Sequence, residues 1–204
     1  MFYDILDKER QAILPLLGKL PKHFYLAGGT ALALQIGHRD SIDFDFFTDE
    51  DFDTEVLFQT LKEIFSTHEV LKTHEEKNTL YITINNTIKI SFITFKYPLL
   101  LPVVEDQYLR LASTKDIACM KLSAITSRFN FKDYVDIFFL FKQFTLQDML
   151  ESAQIKFKDI DTNVILKALV YFDDIEIEPI KFTSGNEVDL SEIQRGIAQA
   201  VRNL

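Results

Sequence analysis

Glycine is scarce in this chain and crowded where it occurs: of 6 glycines in 204 residues, Gly28, Gly29 and Gly37 fall within one stretch. Adjacent glycines suit a place where the backbone turns sharply or another group comes close to it. The pair follows a short apolar run, Phe24 to Ala27, and precedes Thr30 to Ile36, which Gly37 closes as it would a helix. The reading is strand, tight turn, helix. Such a turn offers backbone N–H groups and the positive end of a helix to an anion, a phosphate above all.

From Ser41 the pattern alternates, with Ile42, Phe44 and Phe46 on one side and Asp43, Asp45 and Phe47 on the other, as a two-faced strand requires. Two carboxylates then share a face, hard oxygen ligands suited to magnesium. Arg39 lies between the glycines and the acids and can pair with triphosphate oxygens. Each part alone has a plainer reading: a turn, a solvated strand face, a surface charge. Together they point to a site, because two acids on one face repel each other unless a cation relieves them.

The rest of the chain supplies the frame. Phe2 to Leu20 reads as a first helix, Thr54 to Phe65 as another, and Thr79 to Ile84 and Thr87 to Phe95 as strands joined by a hairpin turn at Asn85 and Asn86. After Pro98 and Pro102 helical patterns dominate: Thr114 to Arg128, Phe131 to Phe144, Leu146 to Phe157, Thr162 to Phe172 and Leu190 to Val201. The fold expected is α+β, with a mixed β-sheet and flanking helices over residues 1–110 and a helical bundle over residues 111–204. Lys121 interrupts an apolar helix face, so its ammonium needs either a route to solvent or an anionic partner. Arg128 shares that face, and Asp133 and Asp136 could pair with Arg128 and Lys132 to clamp two helices together.

These residues resemble a known family. Gly28-Gly-Thr-Ala-Leu32, Gly37-His-Arg-Asp-Ser-Ile-Asp-Phe-Asp-Phe-Phe47, Lys121 to Arg128 and Lys132 to Leu140 are similar to the AbiEii/AbiGii toxin-type nucleotidyltransferases, a branch of the polymerase-β-like superfamily. The resemblance covers most of residues 24 to 143. It implies a nucleotidyltransferase-like sheet capped by helices, in which Gly28, Gly29 and Thr30 cradle a triphosphate. Asp43 and Asp45 would bind Mg2+, and Lys121 would reach phosphate from the helical half. Arg39, Ser41 and Arg128 complete the nucleotide-binding set, with Lys132, Asp133 and Asp136 supporting it. An acceptor hydroxyl would attack the α-phosphorus of a nucleoside triphosphate and release pyrophosphate. In such families the acceptor is RNA, often tRNA, or a protein hydroxyl, and the protein is the toxin beside an antitoxin.

One position departs from the superfamily pattern. Ser91 stands where a third carboxylate would complete the metal site, and a serine brings neither formal charge nor a useful base at neutral pH. Glu75, Glu76 or Asp106 could fold into the gap, two aspartates could suffice for slow transfer, or the chain could be a nucleotide-binding or protein-interaction module with weak catalysis or none. Charge constrains the acceptor too. With 31 acids against 22 Lys and Arg, the net charge of −9 argues against general nucleic-acid binding. An RNA acceptor needs a local basic groove among Lys89, Arg110, Lys115, Lys121, Arg128 and Lys132. The lone Cys119, the early charges in the starting segment and the lack of an apolar run of about 18 residues point to a cytoplasmic protein with no membrane span.

Overall fold

The computed structural model describes residues 1–175 and 177–204. A 3-10 turn, Tyr3–Ile5, leads to α1 (Lys8–Leu17), then β1 (Tyr25–Ala27), α2 (Gly28–Ile36), β2 (Phe44–Thr48) and α3 (Thr54–Ile64). Strands β3 (Val70–Glu76), β4 (Thr79–Ile84), β5 (Ile88–Thr94), β6 (Val104–Glu105) and β7 (Arg110–Leu111) complete one mixed sheet, ordered β3-β4-β5-β2-β1-β7-β6. The helical half comprises α4 (Thr114–Ala124), α5 (Phe131–Leu140), α6 (Leu146–Lys156), α7 (Thr162–Val170) and α8 (Leu190–Arg202). No helix among the described residues is long and apolar enough to cross a membrane.

Polar caps decide where most helices begin. Asp7, Asp53, Ser113, Asn130, Thr145, Asp161 and Asp189 each accept a bond from a first-turn backbone N–H, satisfying a donor that the helix cannot satisfy itself. The Asp7 cap explains why α1 is shorter than the Phe2 to Leu20 helix that periodicity suggests. Similar trimming ends α4 at Ala124 and α5 at Leu140. The hairpin turn between β4 and β5 is as expected, with Asn85 and Asn86 at φ 50° and 61°.

Sheet register builds the site. β2 runs antiparallel to β1 and parallel to β5, which sets Asp45 opposite Ala27 on one side and Ser91 on the other. The neighbouring rows, Leu26 with Phe46 and Phe92, turn the opposite way into the core, where the Phe46 and Phe92 rings stack 5.5 Å apart. Two features depart from the sequence reading. β2 begins at Phe44 rather than Ser41, so Asp43 lies in an irregular lead-in. β3 was not foreseen because it is an edge strand of mostly exposed polar residues, without the alternation that marks a half-buried strand.

A buried ion pair fastens the helical half to the segment leaving the sheet. Asp116 accepts from Leu100 N, Leu101 N and Ser113 Oγ, and the fully buried Lys156 bridges Asp116 (2.8 Å) and the Pro98 carbonyl (2.7 Å). Every partner is satisfied, which makes burying this charge tolerable.

Candidate active site

The glycine turn ends β1 and opens α2 within one residue. Gly28 has φ +72°, a left-handed conformation that favours glycine, and a Cβ there would stand 3.2 Å from Asp45 Oδ2. A Cβ on Gly29 would stand 2.7 Å from Arg39 Nη2 and 3.3 Å from Ser41 Oγ. Both glycines therefore allow close approach as well as turning. Ala27, the residue before α2, supplies no side-chain cap, so first-turn N–H groups remain for a ligand. Thr30 is buried. Its hydroxyl donates to the Asp43 carbonyl, and Ser41 Oγ lies 2.8 Å from it. Thr30 and Ser41, read as nucleotide contacts, thus brace the segment that carries Asp43.

Asp43 is exposed and Asp45 half-buried, and both line the same two adjoining cavities. The larger, about 670 Å³, runs along the sheet face past Phe47, Tyr81, Lys89, Phe95 and Met120. The smaller, about 430 Å³, is more polar and lies over Gly29, Thr30, Arg39, Ser41 and Lys181. Lys121 and Arg128 line both. Ser91 Oγ donates to Asp45 Oδ1 at 2.6 Å. Burial pushes the Asp45 carboxyl above its ordinary range; the Ser91 hydroxyl works against that and Asp43 adds to it. Two hard oxygen donors beside a phosphate-sized cradle suit Mg2+, which takes one or two carboxylates and completes its sphere with substrate oxygens and water. The acids proposed to fill a third position are elsewhere. Glu75 bonds Lys72 and Thr54, Glu76 lies 3.3 Å from His74, and Asp106 accepts from the Tyr3 hydroxyl. Among the described residues, no cluster of three or more His, Cys, Asp or Glu is placed to hold an ion.

Behind the carboxylates lies a buried charge network. Asp136 takes Arg39 in a fork, Nε to Oδ1 at 2.8 Å and Nη2 to Oδ2 at 2.9 Å, with His38 Nε2 at 2.8 Å and Lys121 Nζ at 2.5 Å. Lys121 also reaches Asp133 at 2.7 Å, and Asp133 takes Arg128 at 2.8 Å. Part of the helix-clamp reading therefore needs correcting. Asp133 does pair with Arg128, but Asp136 takes Lys121 of α4 together with His38 and Arg39 from the segment after α2, and Lys132 pairs with Glu178 at 2.5 Å instead. Arg39 sits beneath Gly29 with its fork on Asp136 and Nη1 on the Asp40 carbonyl, supporting the turn from below. Lys121 combines both of the options its sequence position left open, being nearly buried between two carboxylates while still lining both cavities.

The network has a pH signature. Burial alone would raise the Asp136 carboxyl, but Lys121, Arg39 and His38 hold it well below 3.8. Burial lowers His38 below 6.5 against the pull of Asp136, and His38 Nδ1 has no partner, as suits a neutral imidazole. Both groups titrate lower when folded, so the unfolded chain binds more protons and stability is lost as pH falls. The loss is expected to start near 6.5 with His38 and to deepen below 3.8 with Asp136. A melting temperature that stays flat from pH 7 to pH 5 in wild type but falls in His38→Gln would contradict this.

Of the six basic residues considered for an RNA groove, Lys89, Lys121, Arg128 and Lys132 line the cavities. Arg110, on the β7 side of the sheet, pairs with Glu105, and Lys115 lines neither cavity.

A family model described as nucleotidyl transferase AbiEii toxin, type IV toxin–antitoxin system, matches residues 16–203. An uncharacterised protein of Aquifex aeolicus is 40% identical over 161 residues, 76% of this chain and 76% of the relative. JHP933 from Helicobacter pylori superposes with TM-score 0.61 at 18% identity, covering 97% of this chain and 92% of that one. MenT4, a nucleotidyltransferase toxin from Mycobacterium tuberculosis, gives TM-score 0.65 at 13% identity, covering 96% and 82%. At such identities the two structures speak for the fold alone, a nucleotidyltransferase-like mixed sheet with helices.

Proposed function

This chain belongs to the AbiEii nucleotidyl transferase toxin family, and from that membership we propose that it transfers a nucleotidyl group from a magnesium-bound nucleoside triphosphate to an RNA, such as tRNA, or to a protein hydroxyl. The observation that carries the reading is the register that sets Asp45 between the Gly28-Gly29 turn and Ser91, at the junction of two cavities. The α2 N-terminus and the cationic wall of Lys121 and Arg128 receive the triphosphate. Asp43 and Asp45 hold Mg2+, which when bound offsets charge on the phosphate oxygens. The acceptor oxygen forms a bond to the α-phosphorus as the bond to pyrophosphate breaks, and the hydroxyl proton leaves to solvent. Ser91 orients Asp45 by donating its own proton, so it is not a base. As a toxin, the protein would act beside an antitoxin protein, in the cytoplasm.

Ser91 also favours a second reading, a module that binds nucleotide and transfers slowly or not at all. Calorimetry with each of the four nucleoside triphosphates and Mg2+ tests what both share, and binding to none of them sinks both. Label transfer from α-labelled nucleoside triphosphate then separates them, since binding without transfer favours the module. If Ser91 stands in for a missing ligand, Ser91→Asp should speed transfer on the order of 10–100-fold and lower the Mg2+ needed. If Ser91→Asp is no faster while Asp43→Ala abolishes transfer, Ser91 is not a missing ligand.

A further inference from the structure

Arg10 lies in α1, ahead of residues 16–203 that the family model matches, yet it reaches the site from outside. Its side chain is almost entirely buried although its charge would suit solvent. Nε donates to the Ile42 carbonyl at 2.6 Å, Nη2 donates to the Thr87 carbonyl at 3.1 Å, and Nη1 pairs with Asp7. The guanidinium thus ties together the residue before Asp43 and the residue that leads into β5, the strand of Ser91. Residues 41–43 precede the first paired position of β2, Phe44 with Ile90. Thr30 grips the Asp43 carbonyl from the α2 side, and Arg10 grips the Ile42 carbonyl from the α1 side.

We propose that Arg10 is a positioning residue for the metal-binding carboxylates: it fixes the lead-in that aims Asp43 and sets that lead-in against β5. This rests on the reading of Asp43 and Asp45 as the Mg2+ ligands. A planar fork is needed, because one ammonium on a flexible stem does not hold two carbonyls and a carboxylate in fixed directions. Arg10→Lys therefore keeps the charge and loses the function. Groups that orient metal ligands typically change metal affinity by about 10–100-fold when removed.

The test is Mn2+ binding to the full chain, followed by electron paramagnetic resonance, with thermal melts alongside. Wild type should bind Mn2+ and Asp43→Asn should lose it; if the two bind alike, the metal reading itself fails and Arg10 has nothing to position. Given that difference, Arg10→Lys and Arg10→Gln should bind about 10–100-fold more weakly. Ile13→Val, which removes one buried methyl group from the same helix, should bind as wild type does. Arg10 variants that bind as tightly as wild type overturn the inference, as does an equal loss in Ile13→Val. Should the Arg10 variants not fold, Asp7→Asn decides. It keeps a capping side chain and removes the charge that braces Nη1, so weakened Mn2+ binding supports the inference and unchanged binding overturns it.

Discussion

Asp136→Asn should cost about 3–5 kcal/mol of folding stability, measured by denaturant unfolding. The carboxylate is fully buried and answers two cations at once, Arg39 through a two-point fork and Lys121 through a short ion pair. An amide of the same shape leaves Arg39 buried without a counter-charge and turns an NH2 toward one of its donors. Asp133→Asn should cost much less, because its partner Arg128 is 61% exposed at the side chain and Lys121 keeps Asp136. The network can also be separated from simple loss of packing. Asp136→Leu combined with Arg39→Met removes both charges, and it should be more stable than Asp136→Leu alone. A single-variant loss under about 1 kcal/mol would mean that the pair contributes no more than a surface salt bridge.

Asp45→Asn should do the reverse: remove activity and leave stability unchanged or raised. Nucleotidyl transfer should fall on the order of 100–1000-fold or more, the scale of losing an electrostatic contact to the reacting phosphate. The stability argument follows from the direction of its titration. A carboxyl whose folded value is raised, here by burial, then by Asp43 against the help of Ser91, costs stability once pH exceeds its unfolded value near 3.8. Asparagine carries no such cost, so at neutral pH the variant should melt at or above the wild-type temperature. Charge placed at a cost and needed for chemistry is what an active site is expected to contain. A lower melting temperature together with intact transfer would reverse both halves of the argument.

Much of this was legible in the residues themselves. The crowding of Gly28 and Gly29 marked the strand-to-helix turn, where Asp45 and Arg39 come close to the backbone, and Asp43 and Asp45 line one cavity although Asp43 lies ahead of β2 rather than on its face. Asn85 and Asn86 announced their turn by tolerating positive φ. The resemblance to AbiEii-type nucleotidyltransferases, carried by those same motifs, agrees with the match over residues 16–203. What escaped notice depends on distance along the chain. Arg39 and Asp136 meet across 97 positions and Lys156 and Asp116 across 40, and no local period signals either pairing. Nothing local in the sequence marks Arg10, and only the fold brings it to Ile42 and Thr87. Ser91 lay between these extremes. Its place at the position of a third carboxylate was expected from resemblance, but its pairing opposite Asp45 and its hydrogen bond to that carboxylate required the register of β2 with β5.

The most direct test of a nucleotidyl-transfer site at Asp43 and Asp45 is label transfer from each α-labelled nucleoside triphosphate, with Mg2+, to total RNA and total protein. Wild type should label one of these with at least one nucleotide, chelation of the metal should stop it, and Asp45→Asn should abolish it while remaining folded. Transfer that persists in folded Asp45→Asn, or wild type that labels neither RNA nor protein with any of the four nucleotides, would contradict the account.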